Sequence, residues 1–286
     1  MPDIAYISVV IPTLGQKGVF LTERCVSSLR EHHKHLGHDS FEIILVEDSQ
    51  DPQVITNLEN IGERFACKVV SQPNGGFAKA CNHGLKLSNG LIIFLVNNDV
   101  EFLEPSLQAM ASASNATGAA LIGCRLLYPD LKIQHGGVVF VPNENTEGPL
   151  GYFDHIARFQ EAYHPSAYSM RVSLVTGALM GITRWAIDVC GYLDERFLFT
   201  AEDIDYNLRV IEAGSEPLYM GYTAAIHHEG ATRGRTLEEK MQLAPDVAKQ
   251  EMASLDFFFQ KWQGVDWEMF SVHSDLGQKL KQARLA

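Results

Sequence analysis

Leu91-Ile92-Ile93-Phe94-Leu95-Val96-Asn97-Asn98-Asp99 is an apolar run that stops abruptly on two amides and a carboxylate. Six consecutive apolar residues read as a buried strand of a parallel sheet, covered on both faces. Ligands of open α/β sheets bind beyond the carboxyl ends of the strands, which is where Asp99 falls. A second acidic segment, Phe197-Leu198-Phe199-Thr200-Ala201-Glu202-Asp203-Ile204-Asp205, crowds three carboxylates into four residues after another apolar stretch. The two segments suggest one carboxylate placed to hold a metal and another placed to move a proton.

Around the first segment, strand and helix signals alternate. Ile7–Ile11 reads as a strand ended by Pro12, Leu21–His33 as a helix and Phe41–Val46 as a strand running into Glu47-Asp48-Ser49. Gln53–Phe65 reads as a helix, Cys67–Ser71 as a strand and Gly76–Leu87 as a helix; a helix near Pro105–Asn115 and a strand Ala119–Cys124 follow. Such alternation predicts βαβ units and a parallel sheet, and right-handed crossovers put the polar strand ends on one edge. Residues 140–172 are rich in Gly, Pro, Asn, Tyr and His and read as a long loop. Regular signals return at Ser173–Met180, Asp203–Ala213 and Leu218–Ile226. Leu243–Trp262 reads as an amphipathic helix whose Phe257, Phe258, Phe259 and Trp262 pack into the core.

A chain of 286 residues can bury one large core or two smaller ones, and 46% apolar with 20% charged residues is ordinary for a globular protein. The balance of 35 acidic against 23 basic residues, a net of -12, argues against nucleic acid as a partner and against strong adhesion to an anionic membrane. No apolar run approaches the roughly 18 residues that span a bilayer, and Met1–Gly15 lacks a secretory pattern. The cytoplasm is the expected location. Five cysteines (Cys25, Cys67, Cys81, Cys124 and Cys190) with no C-x-x-C pair fit reduced, mostly buried thiols.

Each polar segment has a chemical reading beside a scaffolding one. Glu47 or Asp48 at a strand end can accept a hydrogen bond from the imide N–H of uracil or thymine, or can build the turn that Asp-Ser-x-Asp-Pro favours. In Gln72-Pro73-Asn74-Gly75-Gly76-Phe77-Ala78-Lys79-Ala80-Cys81-Asn82-His83-Gly84 the glycines let backbone approach a phosphate or sugar at a helix start. The segment lacks both the dinucleotide fingerprint and the P-loop pattern. Asn97-Asn98-Asp99 can hold a divalent cation with substrate phosphates, or simply end a strand. Glu202, Asp203 and Asp205 suit a helix N-terminus, yet mutual repulsion can raise one pKa toward that of a general base. His227-His228 ends a short strand and can supply a neutral imidazole to a metal.

Taken in order, these segments resemble glycosyltransferase family 2, the inverting nucleotide-sugar transferases of GT-A fold. SVVIPT resembles the family's opening strand, LVEDSQD its V-D-[DN]-x-S segment and QPNGGFAKACNHG its N-x-G-x-x-x-A-x-N-x-G segment. LVNNDV resembles the N-N-D form of its D-x-D motif, LDERFLFTAEDIDYNLR its D-E-x-F-F…E-D-x-D…R block, and IHHEGAT its H-x-x-G-x-[ST] element. Tyr128-Pro129-Asp130 with Ile133-Gln134-His135-Gly136-Gly137 looks like branches acting on bacterial surface polysaccharides.

The resemblance implies an α/β GT-A fold: a Rossmann-like, mostly parallel sheet flanked by helices. The transferase domain would span 1–235 (a nucleotide-binding half, 1–125, and an acceptor and catalytic half, 126–235), with a C-terminal helical extension at 236–286. Pro12, Thr13, Glu47 or Asp48, Gly76, Lys79 and Asn98 would bind the donor nucleotide, with Lys79 facing the diphosphate. Asp99 would bind Mn²⁺ or Mg²⁺ with His227, or alternatively His228. Asp203 would be the catalytic base, and Glu202 and Trp185 would contact the acceptor. The implied reaction moves a sugar from a nucleotide-sugar, a UDP-sugar ahead of a dTDP-sugar, to a glycan or lipid-linked glycan met at the inner membrane face. Two rivals keep the nucleotide-binding sheet: a non-catalytic nucleotide-sugar-binding or assembly module, and a nucleotidyltransferase.

Overall fold

The computed structural model describes residues 6–37, 40–142, 151–198, 200–229 and 245–271. In chain order the strands are β1 (Ile7–Thr13), β2 (Phe41–Glu47), β3 (Lys68–Ser71), β4 (Ile92–Val96), β5 (Val100–Phe102), β6 (Leu121–Leu127), β7 (Ile133–His135), β8 (Val138–Pro142), β9 (Gly151–His155), β10 (Met170–Val172), β11 (Leu179–Thr183) and β12 (Leu218–His227). The helices are α1 (Gly15–His32), α2 (Pro52–Phe65), α3 (Phe77–Leu87), α4 (Ser106–Thr117), α5 (Arg184–Cys190), α6 (Glu202–Glu212) and α7 (Pro245–Lys261). A 3-10 turn at Trp267–Phe270 follows α7.

The main sheet runs β10-β12-β6-β11-β4-β1-β2-β3, with β5 added to β12 and β7 to β6. The expected mostly parallel sheet is present: β3, β2, β1 and β4 are mutually parallel, as are β6 and β12. Between these groups lies β11, antiparallel to both β4 and β6. This fold is the GT-A fold. Alternation along the strands divides the core. Ile7, Val9 and Ile11 face α1, α2 and α4 in one cluster, while Val10, Ile44 and Leu95 face α3, α5 and α6 in the other. Burial on both faces is why the central strands are apolar throughout, as β4 is.

Three expectations need correction. The first strand does not stop at Pro12 but continues through Thr13, paired with Val46 and Glu47. The Thr13 carbonyl accepts the Asp48 N–H on the β2 side, so Pro12 faces the other side, where pairing with β4 has ended at Val10. The missing proline N–H therefore costs no ladder bond. Second, 140–172 is not simply a loop. It holds most of the β8–β9 hairpin, registered Val138↔His155 to Pro142↔Gly151, and the edge strand β10; residues 143–150 lie outside the described residues. Third, the regular stretch after Ser173 is β11 followed by α5, whose start is capped by the Thr183 side chain accepting the Ala186 N–H.

The aromatic residues of α7 are core, as the sequence indicates. Phe258 is fully buried and Trp262 nearly so, packed with Phe140 of β8, Phe197, Ile204 and Leu208 of α6, and Trp267. The first residues expected in this helix, Leu243 and Ala244, lie outside the described residues. All five cysteines are free; Cys25, Cys81 and Cys124 are buried. Among the described residues no helix is long and apolar enough to cross a membrane.

Candidate active site

The carboxyl end of β4 is the centre of the site. The Asn97 N–H donates to the Ala178 carbonyl (2.9 Å), which fixes the turn that follows the strand. Asn98 ties the same turn to α1, its Nδ2 donating to the Gly18 carbonyl (3.2 Å) and to Thr22 Oγ1 (3.3 Å). Asp99 then faces His227 at the end of β12, with Oδ1 3.1 Å from Nε2. Burial pushes the Asp99 carboxyl up, but the hydrogen bond and charge of His227, with His228 farther off, hold it below its ordinary value. His228 turns away. Its Nε2 lies 3.1 Å from Glu101 Oε2, an oxygen that also pairs with Arg24. Of the two histidines, His227 is the one presented to Asp99.

Oxygen and imidazole donors are what a Mn²⁺ or Mg²⁺ ion uses. Asn97 Oδ1 is buried without a hydrogen-bond partner beside them, a further oxygen that a cation would satisfy. The residues fit such an ion. Among the described residues no group of three or more His, Cys, Asp or Glu side chains is placed to hold a metal ion, so the remaining ligands would have to come from a bound diphosphate and water.

Asp203 sits in the first turn of α6, and the short Thr176-Gly177-Ala178 segment leading into β11 carries it to this centre. The Gly177 N–H donates to Asp203 Oδ2 (2.7 Å), one residue before the carbonyl that holds Asn97. A side chain at Gly177 would place its Cβ 3.1 Å from that of Asp203, which would have to give by a few tenths of an ångström. Asn207 locks the same segment to α6: it accepts from the Val175 N–H (3.0 Å) and donates to the Val175 carbonyl (2.9 Å). Burial raises the Asp203 pKa above the ordinary carboxylate value, opposed by the Gly177 and Ile204 N–H groups and the Thr176 hydroxyl. A half-buried carboxylate with a raised pKa is suited to taking a proton.

Next to it, Glu202 is buried, near enough to α3 that its charge adds to burial in raising the Cys81 thiol. Asp205 has a different role. It is completely buried and bound to Arg209 Nε (2.9 Å), Lys261 Nζ (2.6 Å) and Trp262 Nε1 (2.9 Å), so it fastens α7 to α6. The three acids are therefore not a mutually repelling cluster, because one of them is neutralised by Arg209 and Lys261.

The predicted nucleotide-binding residues fall along the same edge, with uneven access. Thr13 is buried and bonds Thr22 Oγ1 (2.7 Å), while Pro12 is half-buried. Glu47 is 0% exposed, and its oxygens accept from the Ser49 N–H and hydroxyl, the Gln50 N–H and the Ser71 hydroxyl. It builds the turn and has no surface to offer a base. Asp48, 4% exposed, accepts from Gln72 Nε2 (2.8 Å) and the Gly75 N–H (3.2 Å), and so shapes the glycine loop before α3. Gly76 has φ of 88°, and a Cβ there would come within 3.1 Å of the Leu198 carbonyl. That contact brings the loop against the second acidic segment. Lys79 is exposed on α3.

Trp185 is not brought to this centre. It follows Thr183, which pairs with Ile92 at the start of β4, whereas Asn97 follows its end. The two edges are separated by the length of the strand, about 15 Å at 3.3 Å per residue. Trp185, 44% exposed, instead lines a cleft of about 500 Å³ with Thr117–Ala119 and Gly214–Glu216. Gly230, Ala231 and Thr232 of the last motif lie outside the described residues. The sequence reading missed Thr176 and Gly177, for which only a small-residue segment before an apolar strand gave a sign. It also gave Asn82 no definite role; its amide joins α3 to Leu193 through both backbone groups (2.8 and 2.9 Å).

The comparisons with known proteins point the same way. The family model described as "Glycosyl transferase family 2" matches residues 8–152, just over half of the chain. The O-antigen biosynthesis protein RfbC of Myxococcus xanthus is 26% identical over 235 residues, covering 79% of this chain and 18% of RfbC. The chain spans about a fifth of the length of the curated relatives it matches. Among solved structures, the mannosyltransferase PcManGT of Pyrobaculum calidifontis in complex with GDP-Man and Mn²⁺ aligns with a TM-score of 0.59 at 12% identity, over 100% of this chain and 81% of that one. GalNAc-T7 with UDP, GalNAc and Mn²⁺ aligns with a TM-score of 0.61 at 15% identity, over 100% of this chain and 55% of that one. At these identities the likeness is one of fold.

Proposed function

The chain belongs to glycosyl transferase family 2, and from that premise we propose that it is an inverting transferase moving a sugar from a nucleoside-diphosphate donor to a hydroxyl of a glycan or lipid-linked glycan. The observation that carries the reading is the Thr176-Gly177-Ala178 bridge. One backbone segment bonds both Asp203 and the Asn97–Asp99 turn, so the proposed base and the proposed cation-binding pair stand at the same end of the sheet.

Asp99 and His227 would hold Mn²⁺ or Mg²⁺, the metal seen with the two solved neighbours being Mn²⁺. When bound, the ion supplies positive charge that stabilises a departing diphosphate. Asp203 takes the proton of the acceptor hydroxyl as its oxygen attacks the anomeric carbon. The new C–O bond forms while the bond from that carbon to the diphosphate oxygen breaks, and the nucleoside diphosphate leaves with the electron pair. Attack opposite the leaving group inverts the configuration, and no covalent intermediate on the protein is needed. Glu202 stands beside the base to touch or orient the acceptor. Thr13, Asp48, Gly76, Lys79 and Asn98 frame the donor, with a UDP-sugar favoured over a dTDP-sugar. The proposed setting is polysaccharide biosynthesis at the cytoplasmic face of a membrane, consistent with the RfbC relative.

Incubation with UDP- and dTDP-sugars, Mn²⁺ and a panel of glycoside acceptors tests the reading. Acceptor-dependent release of nucleoside diphosphate is expected, with an anomeric configuration in the product opposite to that in the donor. Pyrophosphate release from a nucleoside triphosphate, or a product with retained configuration, would overturn it.

A further inference from the structure

We propose that Gln134 is a positioning residue that locks His227 in the one imidazole tautomer able to bind a cation. This rests on the reading of Asp99 and His227 as the cation's ligands. Gln134 lies in β7, 3% exposed, beside the end of β12. Its Oε1 is 2.7 Å from His227 Nδ1, and its Nε2 donates to the His227 carbonyl (3.3 Å) and to Glu229 Oε2 (3.2 Å). One amide therefore grips both the ring and the backbone of the same histidine.

The direction of these bonds decides the tautomer. An amide oxygen only accepts, so Nδ1 must carry the hydrogen. Nε2 is then the nitrogen turned to Asp99 Oδ1, 3.1 Å away, and its lone pair is open to a cation once any proton shared with Asp99 has left. The Asn97 amide agrees, since its Nδ2, a donor, lies 3.3 Å from the same Nε2. Gln134 cannot flip without cost. Reversal would turn Oε1 toward the Glu229 carboxylate and the His227 carbonyl, setting acceptor against acceptor. Glu229 is itself held by Arg158 (3.5 Å). A chain from Arg158 through Glu229 and Gln134 thus fixes the hydrogen on Nδ1. Without it, the neutral ring could keep its one hydrogen on Nε2, bonded to Asp99, and leave the lone pair on Nδ1, away from the cation. Outer-shell partners of this kind fix ring orientation and tautomer, and their loss typically costs about 10- to 100-fold in metal affinity.

Two measurements test the proposal. The first is ¹⁵N NMR of the histidine rings in the metal-free wild-type protein, which reads the ring hydrogens directly: hydrogen on Nδ1 of His227 is expected, whether or not Nε2 also carries one, and hydrogen on Nε2 alone overturns the proposal. The second is Mn²⁺ titration of the UDP-saturated protein by electron paramagnetic resonance. Gln134→Leu is expected to weaken Mn²⁺ by about 10- to 100-fold. The exchange Gln134→Glu with Glu229→Gln, which again offers an acceptor to Nδ1, is expected to recover most of that loss. Equal Mn²⁺ affinity in wild type and Gln134→Leu contradicts the role. A wild-type protein that takes up no Mn²⁺ with UDP would instead defeat the metal reading, while the NMR result still decides the tautomer.

Discussion

Replacing Asp203 with Asn leaves donor binding intact and lowers turnover by about 10²- to 10⁴-fold, the usual contribution of a general base. The amide keeps the shape of the carboxylate and can still accept the Gly177 N–H, so the fold and the donor crevice are preserved. What it cannot do is receive the acceptor's proton. The loss corresponds to roughly 3–5 kcal/mol of transition-state stabilisation. Burial raises the Asp203 pKa, and the base must be ionised to work. Wild-type turnover should therefore fall as pH drops through that raised value, and the acid limb should vanish from the residual activity of the Asn variant. Steady-state kinetics against pH, with donor affinity measured separately, check this. Near-normal turnover would remove Asp203 from its role.

Replacing Asp205 with Asn, two residues along the same helix, gives the opposite pattern. The variant loses stability, and its folded fraction still binds donor. Asp205 is completely buried and answers Arg209, Lys261 and Trp262 together, so its neutralisation leaves cations facing a dipole where a charge stood. Breaking a buried ion pair by removing one partner costs about 3–5 kcal/mol. At 2–4 °C per kcal/mol for a chain of this size class, the midpoint should drop on the order of 10 °C. Lys261 keeps its second partner, Asp194 (2.8 Å), so the attachment of α7 weakens without being abolished. Thermal denaturation of the two variants side by side separates the roles: little change for Asp203→Asn and a large fall for Asp205→Asn. A midpoint within 2 °C of wild type for Asp205→Asn would contradict its structural assignment.

The contrast between these two acids also marks what the sequence could and could not reveal. The run from Leu91 to Asp99 is legible because local chemistry decides it: a strand apolar on both faces must be central, and its polar end must meet solvent or ligand. Asp99 and His227 do come together, as the motif order implied. The role of Asp205 is only half legible locally, since Arg209 lies four residues along the same helix but Lys261 and Trp262 stand far along the chain. Glu47 was misleading for a similar reason. Its turn residues are neighbours in sequence, but only the fold shows that Ser71 completes its shell and leaves it no exposed surface. Trp185 was placed with the acceptor by the family resemblance, and the antiparallel direction of β11 sends it to the opposite edge instead. Gln134 and the Thr176-Gly177 segment carry no charge and no periodicity, so only their contacts show their position in the site.

The most direct test of the central claim is a thermal-shift panel with UDP, dTDP, GDP and CMP and the matching nucleotide sugars, each with and without Mn²⁺, on wild type and on Asp99→Asn. A ligand at 100 times its Kd stabilises by about 2.7 kcal/mol, which is a readable shift. The expected result is stabilisation of the wild type by uridine or thymidine diphosphate species that grows with Mn²⁺, and loss of the Mn²⁺-dependent part in Asp99→Asn. The same shifts with and without Mn²⁺, or no response to any nucleotide, would contradict the assignment of this crevice to a metal-bound nucleotide-sugar.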